Sequence, residues 1–155
     1  MIDMGRDALH DILLAEDNPH DLELTLTALH KHKIANRVIV VRDGASALDY
    51  LYRQGEFANR DGGNPAAVLL DLKMPKVDGM EVLRRVKSDP DLRTVPIVIL
   101  TSSREEHDLV EGYGLGANAY VVKPVRFNEF VEAVSVLGIF WALVNEPPAA
   151  AGGRD

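Results

Sequence analysis

Residues Leu69-Leu70-Asp71-Leu72-Lys73-Met74-Pro75-Lys76-Val77-Asp78-Gly79 carry an apolar, strand-like run into a single carboxylate. Three other apolar runs also end in polar residues: Glu16-Asp17 follow Ile12 to Ala15, Thr101 follows Ile97 to Leu100, and Lys123 follows Ala119 to Val122. Three acids, a hydroxyl and an ammonium therefore stand at four run ends. Crowded carboxylates repel one another, a cost that is tolerable only around a cation. Mg2+ suits such a set, because it takes oxygen ligands at about 2.1 Å, keeps several waters, and binds through one or two carboxylates plus phosphate oxygens. On this reading Asp17 and Asp71 hold the metal, Glu16 acts through a water, and a backbone carbonyl near Lys73 completes the protein's share. The same residues suit phosphoryl transfer, which needs alignment and neutralised charge more than covalent help. Asp71 is then the nucleophile and forms an acyl phosphate. Lys123 and the metal balance the charge on the phosphoryl oxygens, and Thr101 donates a hydrogen bond to one of them.

Each residue taken singly has a plainer explanation. An acid at a strand end is commonly a helix cap or a loop charge, and acids before a helix stabilise its positive end. Lys123 before Pro124 reads alone as a surface lysine, and Thr101 as a turn hydroxyl. The plain explanations fail jointly, because four independent accidents would have to share one edge. The five histidines make no metal site: His30 and His32 do not share a helix face, and His20 and His107 sit in helix first turns without a second ligand at useful spacing.

The elements that must position these residues are legible as five short, almost continuously apolar runs: Ile12 to Ala15, Val38 to Val41, Ala66 to Leu70, Ile97 to Leu100 and Ala119 to Val122. Such runs fit parallel strands covered on both faces, and the segments between them are long enough for helical crossovers. The first helix starts with Asn18 as N-cap and Pro19 at its first position, and continues through Leu22, Leu26 and Leu29 on one stripe. The third opens with Asp78 and Glu81 at capping-box spacing, and the fourth with Ser103 and Glu106. The second helix, about Ala45 to Gln54, ends at Gly55, and Glu56 to Pro65 reads as a solvated loop without a catalytic role. Repeated β-α units with right-handed crossovers give an α/β fold, a doubly wound five-stranded parallel sheet whose strand ends gather the polar residues. The order 2-1-3-4-5 is borrowed from the flavodoxin-like (βα)5 arrangement.

At 155 residues with 46% hydrophobic and 26% charged side chains, one domain with a real core is expected. It would span residues 10–145, between a tail at 1–9 and a disordered Pro- and Ala-rich tail at 146–155. The net charge is 17 − 24 = −7, and the basic cluster Arg84-Arg85 with Lys87 reads as a solvated helix face, so no nucleic-acid partner is expected. Without cysteine there is no disulfide, thiol catalysis or Cys-ligated zinc. No apolar run approaches the roughly 18 residues of a membrane span, and residues 1–9 are too polar for a secretory signal. The default expectation is a soluble cytoplasmic protein that does not bind membranes.

As a set, Leu14-Ala15-Glu16-Asp17-Asn18, the Asp71 run through Met74-Pro75 with Asp78-Gly79, Leu100-Thr101-Ser102, and Ala119-Tyr120-Val121-Val122-Lys123-Pro124 resemble the receiver domain of two-component response regulators. The likeness covers about Asp11 to Val144, in a stand-alone, chemotaxis-regulator-like form. It implies that Asp71 accepts a phosphoryl group from a phosphohistidine on a sensor histidine kinase. Mg2+ would be held by Asp17, Asp71 and the Lys73 carbonyl, with Glu16 assisting and Lys123 on the phosphate. It also implies that Thr101 moves toward the phosphate while Tyr120 turns inward, reshaping the surface of helix 4, strand 5 and helix 5. Such a protein is no enzyme, although it catalyses its own phosphorylation and dephosphorylation, and in this family the Lys123-Pro124 bond is often cis. The long loop after helix 2, Val95-Pro96-Ile97, and the ending Phe140-Trp141-Ala142-Leu143-Val144 resemble regulators paired with phytochrome-type kinases. One departure is Arg126, where many receivers carry an acid that caps helix 5.

Helix 5 has one apolar stripe through Phe127, Phe130, Val131, Val134, Leu137 and Trp141, enough to dock it on the sheet. Val136, Ile139, Phe140, Leu143 and Val144 widen the apolar surface beyond that face, and a patch of this kind marks a protein interface. A homodimer is expected. Two other functions are compatible with parts of the pattern. An aspartate-nucleophile hydrolase of the haloacid dehalogenase kind wants a second acid where Lys73 stands, and a partner-binding pseudo-receiver would not need the intact acid, hydroxyl and lysine set.

Overall fold

The computed structural model describes residues 10–31, 36–102, 104–112, 114 and 119–136. Within these ranges the side chains at 104, 107, 109, 112 and 134–136 fall outside the description. The elements run β1 (Ile12–Ala15), α1 (Pro19–Lys31), β2 (Val38–Val41), α2 (Gly44–Tyr52), a 3-10 turn (Gly55–Phe57), β3 (Ala67–Asp71), α3 (Gly79–Ser88), β4 (Ile97–Thr101), α4 (Arg104–Gly112), β5 (Ala119–Val122) and α5 (Phe127–Val136). All five strands are parallel in one sheet of order β2-β1-β3-β4-β5. The expected flavodoxin-like order is therefore observed. Three strands have the predicted bounds, while β3 is shifted one residue along, beginning at Ala67, and β4 extends one residue further, so Asp71 and Thr101 are the last strand residues rather than the first loop residues.

Alternation along the strands divides the core in two. Leu13, Ala15, Val68, Leu70, Ile97 and Ile99 pack with α2, α3 and Val110 of α4. Ile12, Leu14, Leu69, Val98, Leu100, Ala119 and Val121 pack with Leu29 of α1 and Phe130 and Ala133 of α5. Leu22 and Leu26 support the second layer from α1, as their stripe requires. On α5 the buried positions are Phe130 and Ala133, with Phe127 partly buried, so a small residue supplies a contact that the pattern of large apolar residues did not reveal.

Helix starts follow local chemistry. Asn18 Oδ1 accepts the Asp21 N–H at 2.9 Å, and Asp78 Oδ1 accepts the Glu81 N–H at 3.0 Å. The Glu81 carboxylate pairs with Arg84 and Arg85 on the solvent side, which keeps that basic cluster on an exposed helix face. Before α2, Asp43 accepts the Ser46 N–H at 2.7 Å, a cap that sequence reading missed. The same helix stops at Arg53, in the left-handed region at φ 57°, two residues before the expected Gly55.

The following loop is also tighter than expected. The Arg60 guanidinium lies 3.9 Å from the centre of the Tyr50 ring, while its Nε donates to the Tyr50 carbonyl at 2.8 Å and its Nη1 to the Gly63 carbonyl at 3.0 Å. Tyr50 in turn donates its hydroxyl to Asp11 Oδ2 at 2.6 Å, and Arg37 grips the same carboxylate. The loop is thereby tied to the N-terminal edge of the sheet.

The end of β3 depends on close approach. A Cβ added at Gly79 would lie 2.3 Å from the Asp71 carbonyl oxygen and 2.6 Å from Leu72 Cα, and the Gly79 N–H donates to the Leu72 carbonyl at 2.9 Å. An alanine here would gain less than about 1 kcal/mol of helix propensity, against roughly 1–3 kcal/mol for backbone forced out of contact. Gly79→Ala is expected to lower the urea midpoint by the difference; an unchanged midpoint would refute the close-approach argument.

Candidate functional site

Parity along the strands brings the chemistry together. Glu16 follows Ile12 and Leu14, Asp71 follows Leu69, and Lys123 follows Ala119 and Val121, so all three share the face covered by α1 and α5. The register pairs Ala15 with Leu70, which sets Glu16 and Asp71 side by side one step further. Lys123 Nζ stands among the acids, 3.4 Å from Glu16 Oε1, 3.4 Å from Asp71 Oδ2 and 2.9 Å from Asp21 Oδ2. Burial opposes its charge, but the Asp21 hydrogen bond and the charges of Asp71 and Glu16 outweigh burial and raise its pKa above the ordinary lysine value.

Glu16 is fully buried. Burial first, then its hydrogen bond and charge interaction with Asp71, push its pKa up to about 7, against the opposing pull of the Asn18 amide and Lys123. Its Oε2 accepts the Asn18 N–H at 3.1 Å. Asp71 is also buried, with Oδ1 receiving the Lys73 N–H at 3.4 Å. Asp17 sits at the exposed rim, its carbonyl accepting from Arg42 at 2.9 Å. Asp17, Asn18, His20, Asp21, Asp71, Lys73, Ser102 and Lys123 line one open cleft of about 590 Å³.

Thr101 leaves the row by parity. It shares a face with Ile97 and Ile99, is fully buried, and its Oγ1 has no hydrogen-bond partner among the described residues. An orphaned buried hydroxyl beside an acid-lined cleft is a group that an incoming oxygen would satisfy. Tyr120 lies on the same face as Thr101, half-buried, and donates its hydroxyl to Glu111 Oε2 of α4 at 2.6 Å. Burial and that contact hold the phenol well above the usual tyrosine range.

Among the described residues no three histidine, aspartate or glutamate side chains converge as a ready metal cage. Glu16 and Asp71 are neighbours, whereas Asp17 stands apart at the rim. Asp17, Asp21 and Asp71 bring three carboxylates to the cleft, an oxygen-rich lining that fits a hard divalent cation that keeps its waters.

A model of the response regulator receiver domain matches residues 12–135 of the chain. The chain belongs to that family. Its architecture agrees with solved receivers: it is similar to the bacteriophytochrome response regulator AtBRR, with 64% identity, TM-score 0.85, and 89% and 99% of the two chains covered. Response regulator Rcp1 of Synechocystis sp. is 38% identical over 139 residues, 90% of this chain and 93% of that protein. The Mn2+-bound structure of Rcp1 superposes with TM-score 0.68 over 90% of this chain and 99% of that one. The phosphorylated cyanobacterial phytochrome response regulator RcpA is 41% identical, with TM-score 0.65 and 84% and 90% covered. These likenesses make the protein a signalling receiver, and one of them, Rcp1, is known in a Mn2+-bound form.

In this receiver the Lys123-Pro124 bond is cis, as the resemblance implied. Arg126 does not prevent α5 from starting: its carbonyl accepts the Phe130 N–H at 2.9 Å, and its Nη1 lies 3.7 Å from Glu129 Oε2, which offsets the cation beside the positive helix end. Of the expected dimer residues, only the backbone of Val136 is described. Ile139, Phe140, Leu143 and Val144 lie outside the described residues, as do His32 and the two tails. Among the described residues no helix is long and apolar enough to cross a membrane.

Sequence reasoning missed Asp21 and read Glu106 only as the capping-box partner of Ser103, which lies outside the described residues. Asp21 stands four residues after Asp17, so helical spacing carried a signal. Glu106 bonds the Ser102 N–H and Oγ at 2.9 and 2.8 Å and lies 3.1 Å from Lys73 Nζ, so it ties the β3 and β4 loops together. No short-range pattern announced that pairing.

Because the Glu16 pKa is raised from an unfolded value near 4.5 to about 7, the folded state holds an extra proton between these limits. Stability from this group is full below pH 4.5 and is lost as pH rises through 7. Metal-free protein is expected to lose stability across that window in pH-resolved denaturation, and Glu16→Gln to flatten the loss. A pH profile identical in the variant would contradict the assignment.

Proposed function

We propose that this receiver accepts a phosphoryl group on Asp71 from a phosphohistidine of a sensor kinase, with Mg2+ as the resident cation. The reading is carried chiefly by one observation: Asp71 and Glu16 each lie 3.4 Å from the shared ammonium of Lys123 at the end of a parallel sheet. An Asp71 carboxylate oxygen forms the new P–O bond. The P–N bond to the donor imidazole breaks, and the imidazole leaves with its electron pair. Lys123 neutralises one phosphoryl oxygen, and Thr101 supplies its unused hydroxyl to another. Asp17, Asp71 and the Lys73 carbonyl would hold the cation, with Glu16 behind them; bound there, it supplies positive charge against the phosphoryl oxygens. Hydrolysis of the acyl phosphate, with water forming a P–O bond as the carboxylate leaves, returns the protein to rest.

Output is proposed to pass through the surface of α4, β5 and α5. Thr101 and Tyr120 share the α4 side of the sheet, so a shift of Thr101 toward the phosphate opens room next to Tyr120, whose hydroxyl now holds Glu111 of α4. The names of AtBRR and RcpA support a phytochrome-type kinase as donor. We also propose a homodimer through Val136, Ile139, Phe140, Leu143 and Val144, supported by the apolar width of that sequence.

Incubation with acetyl phosphate and Mg2+ is expected to add one phosphoryl mass to the intact protein and none to Asp71→Asn; an adduct that persists in the variant would overturn the assignment. Phe140→Glu is expected to move sedimentation toward monomer, and a parent protein already monomeric would end the dimer proposal.

A further inference from the structure

The ammonium that should meet the phosphoryl group is bound most closely by a different acid. Lys123 Nζ is 2.9 Å from Asp21 but 3.4 Å from both Asp71 and Glu16. Asp21 is fixed there by the start of α1, where Pro19 opens the helix and the Asp21 N–H is bonded to Asn18. It is a quarter exposed and takes no part in either apolar core, so its position serves the cleft rather than the packing. An ammonium has three N–H bonds, and three carboxylates already face this one. A phosphoryl oxygen can be served only if one of them gives way. Asp21 is the one that neither carries the phosphoryl group nor lies buried beside it.

We propose that Asp21 is a positioning residue that restrains Lys123, so that phosphorylation exchanges a Lys123–Asp21 ion pair for a Lys123–phosphoryl one. Asp21 then sets how readily the receiver captures a phosphoryl group and how long it keeps it. The inference rests on Asp71 being the acceptor.

Beryllofluoride, a phosphoryl mimic, tests it by titration at fixed saturating Mg2+, followed by fluorine NMR of the bound adduct. Asp21→Asn is expected to tighten binding roughly two- to fivefold, the range of a partly exposed ion pair, while Asp21→Glu restores parental affinity. Removing any nearby negative charge also favours an anion, so the same change is made in a Lys123→Met background, where the gain should vanish. Asp21→Ser repeats the comparison should the asparagine variant fold poorly. Unchanged or weaker binding in both Asp21→Asn and Asp21→Ser, or an equal gain with and without Lys123, would overturn the restraint while leaving the acceptor intact. A parent protein that forms no adduct would instead sink the acceptor reading, and the restraint with it.

Discussion

Two carboxylates, Glu16 and Asp71, are buried side by side at the ends of adjacent parallel strands, and the rest of the site answers that repulsion. Uncompensated, such a pair would be costly. The structure answers in three ways: the Glu16 pKa rises so that it takes up a proton readily, the Asn18 amide supports one of its oxygens, and Lys123 reaches in from β5. The Asn18 amide is supplied locally, two residues along the chain, but the other two answers need tertiary structure. Lys123 lies 107 positions from Glu16 in the chain.

On the proposed function, strand parity separates the chemistry from its readout. Glu16, Asp71 and Lys123 belong to the side of the sheet packed by α1 and α5, whereas Thr101 and Tyr120 belong to the side packed by α4. Thr101, at the end of β4 with a hydroxyl that has no partner among the described residues, is the residue through which the proposed switch would link the two sides. On the α4 side two contacts fix the helix to the site: Tyr120 to Glu111, and Lys73 to Glu106 with Ser102 behind it. The proposed switch would need such a division, because the acid cluster must keep its geometry while a packed surface changes.

The opposite edge of the sheet has another task. Asp11 joins Tyr50 and Arg37, and Tyr50 carries Arg60 on its ring, so one buried phenol connects β1, α2 and the loop that leads to β3. Burial would raise the Asp11 pKa, but the hydrogen bonds from Arg37 and Tyr50 outweigh it and hold the carboxyl below its usual range. The loop stays in place without an apolar core of its own, and β3 enters the sheet in the register that delivers Asp71 next to Glu16.

Local chemistry was enough to locate the five strands, the caps at Asn18 and Asp78 and the residues at the strand ends, because apolar runs and capping side chains act over a few positions. The order of the strands was borrowed from a known arrangement; the observed hydrogen bonds decide it. The sequence could not show that α2 already ends at Arg53, that Ala133 packs α5, or that Arg60 stacks on Tyr50, since those outcomes depend on partners brought from elsewhere. The amino-acid sequence alone therefore determined which acids, hydroxyl and ammonium stand at the strand ends. Tertiary structure decided their relations: that Glu16 is buried while Asp17 stays at the rim, and that Lys123 rests nearest Asp21, because distance and dielectric, not spacing along the chain, set the strength of charge interactions.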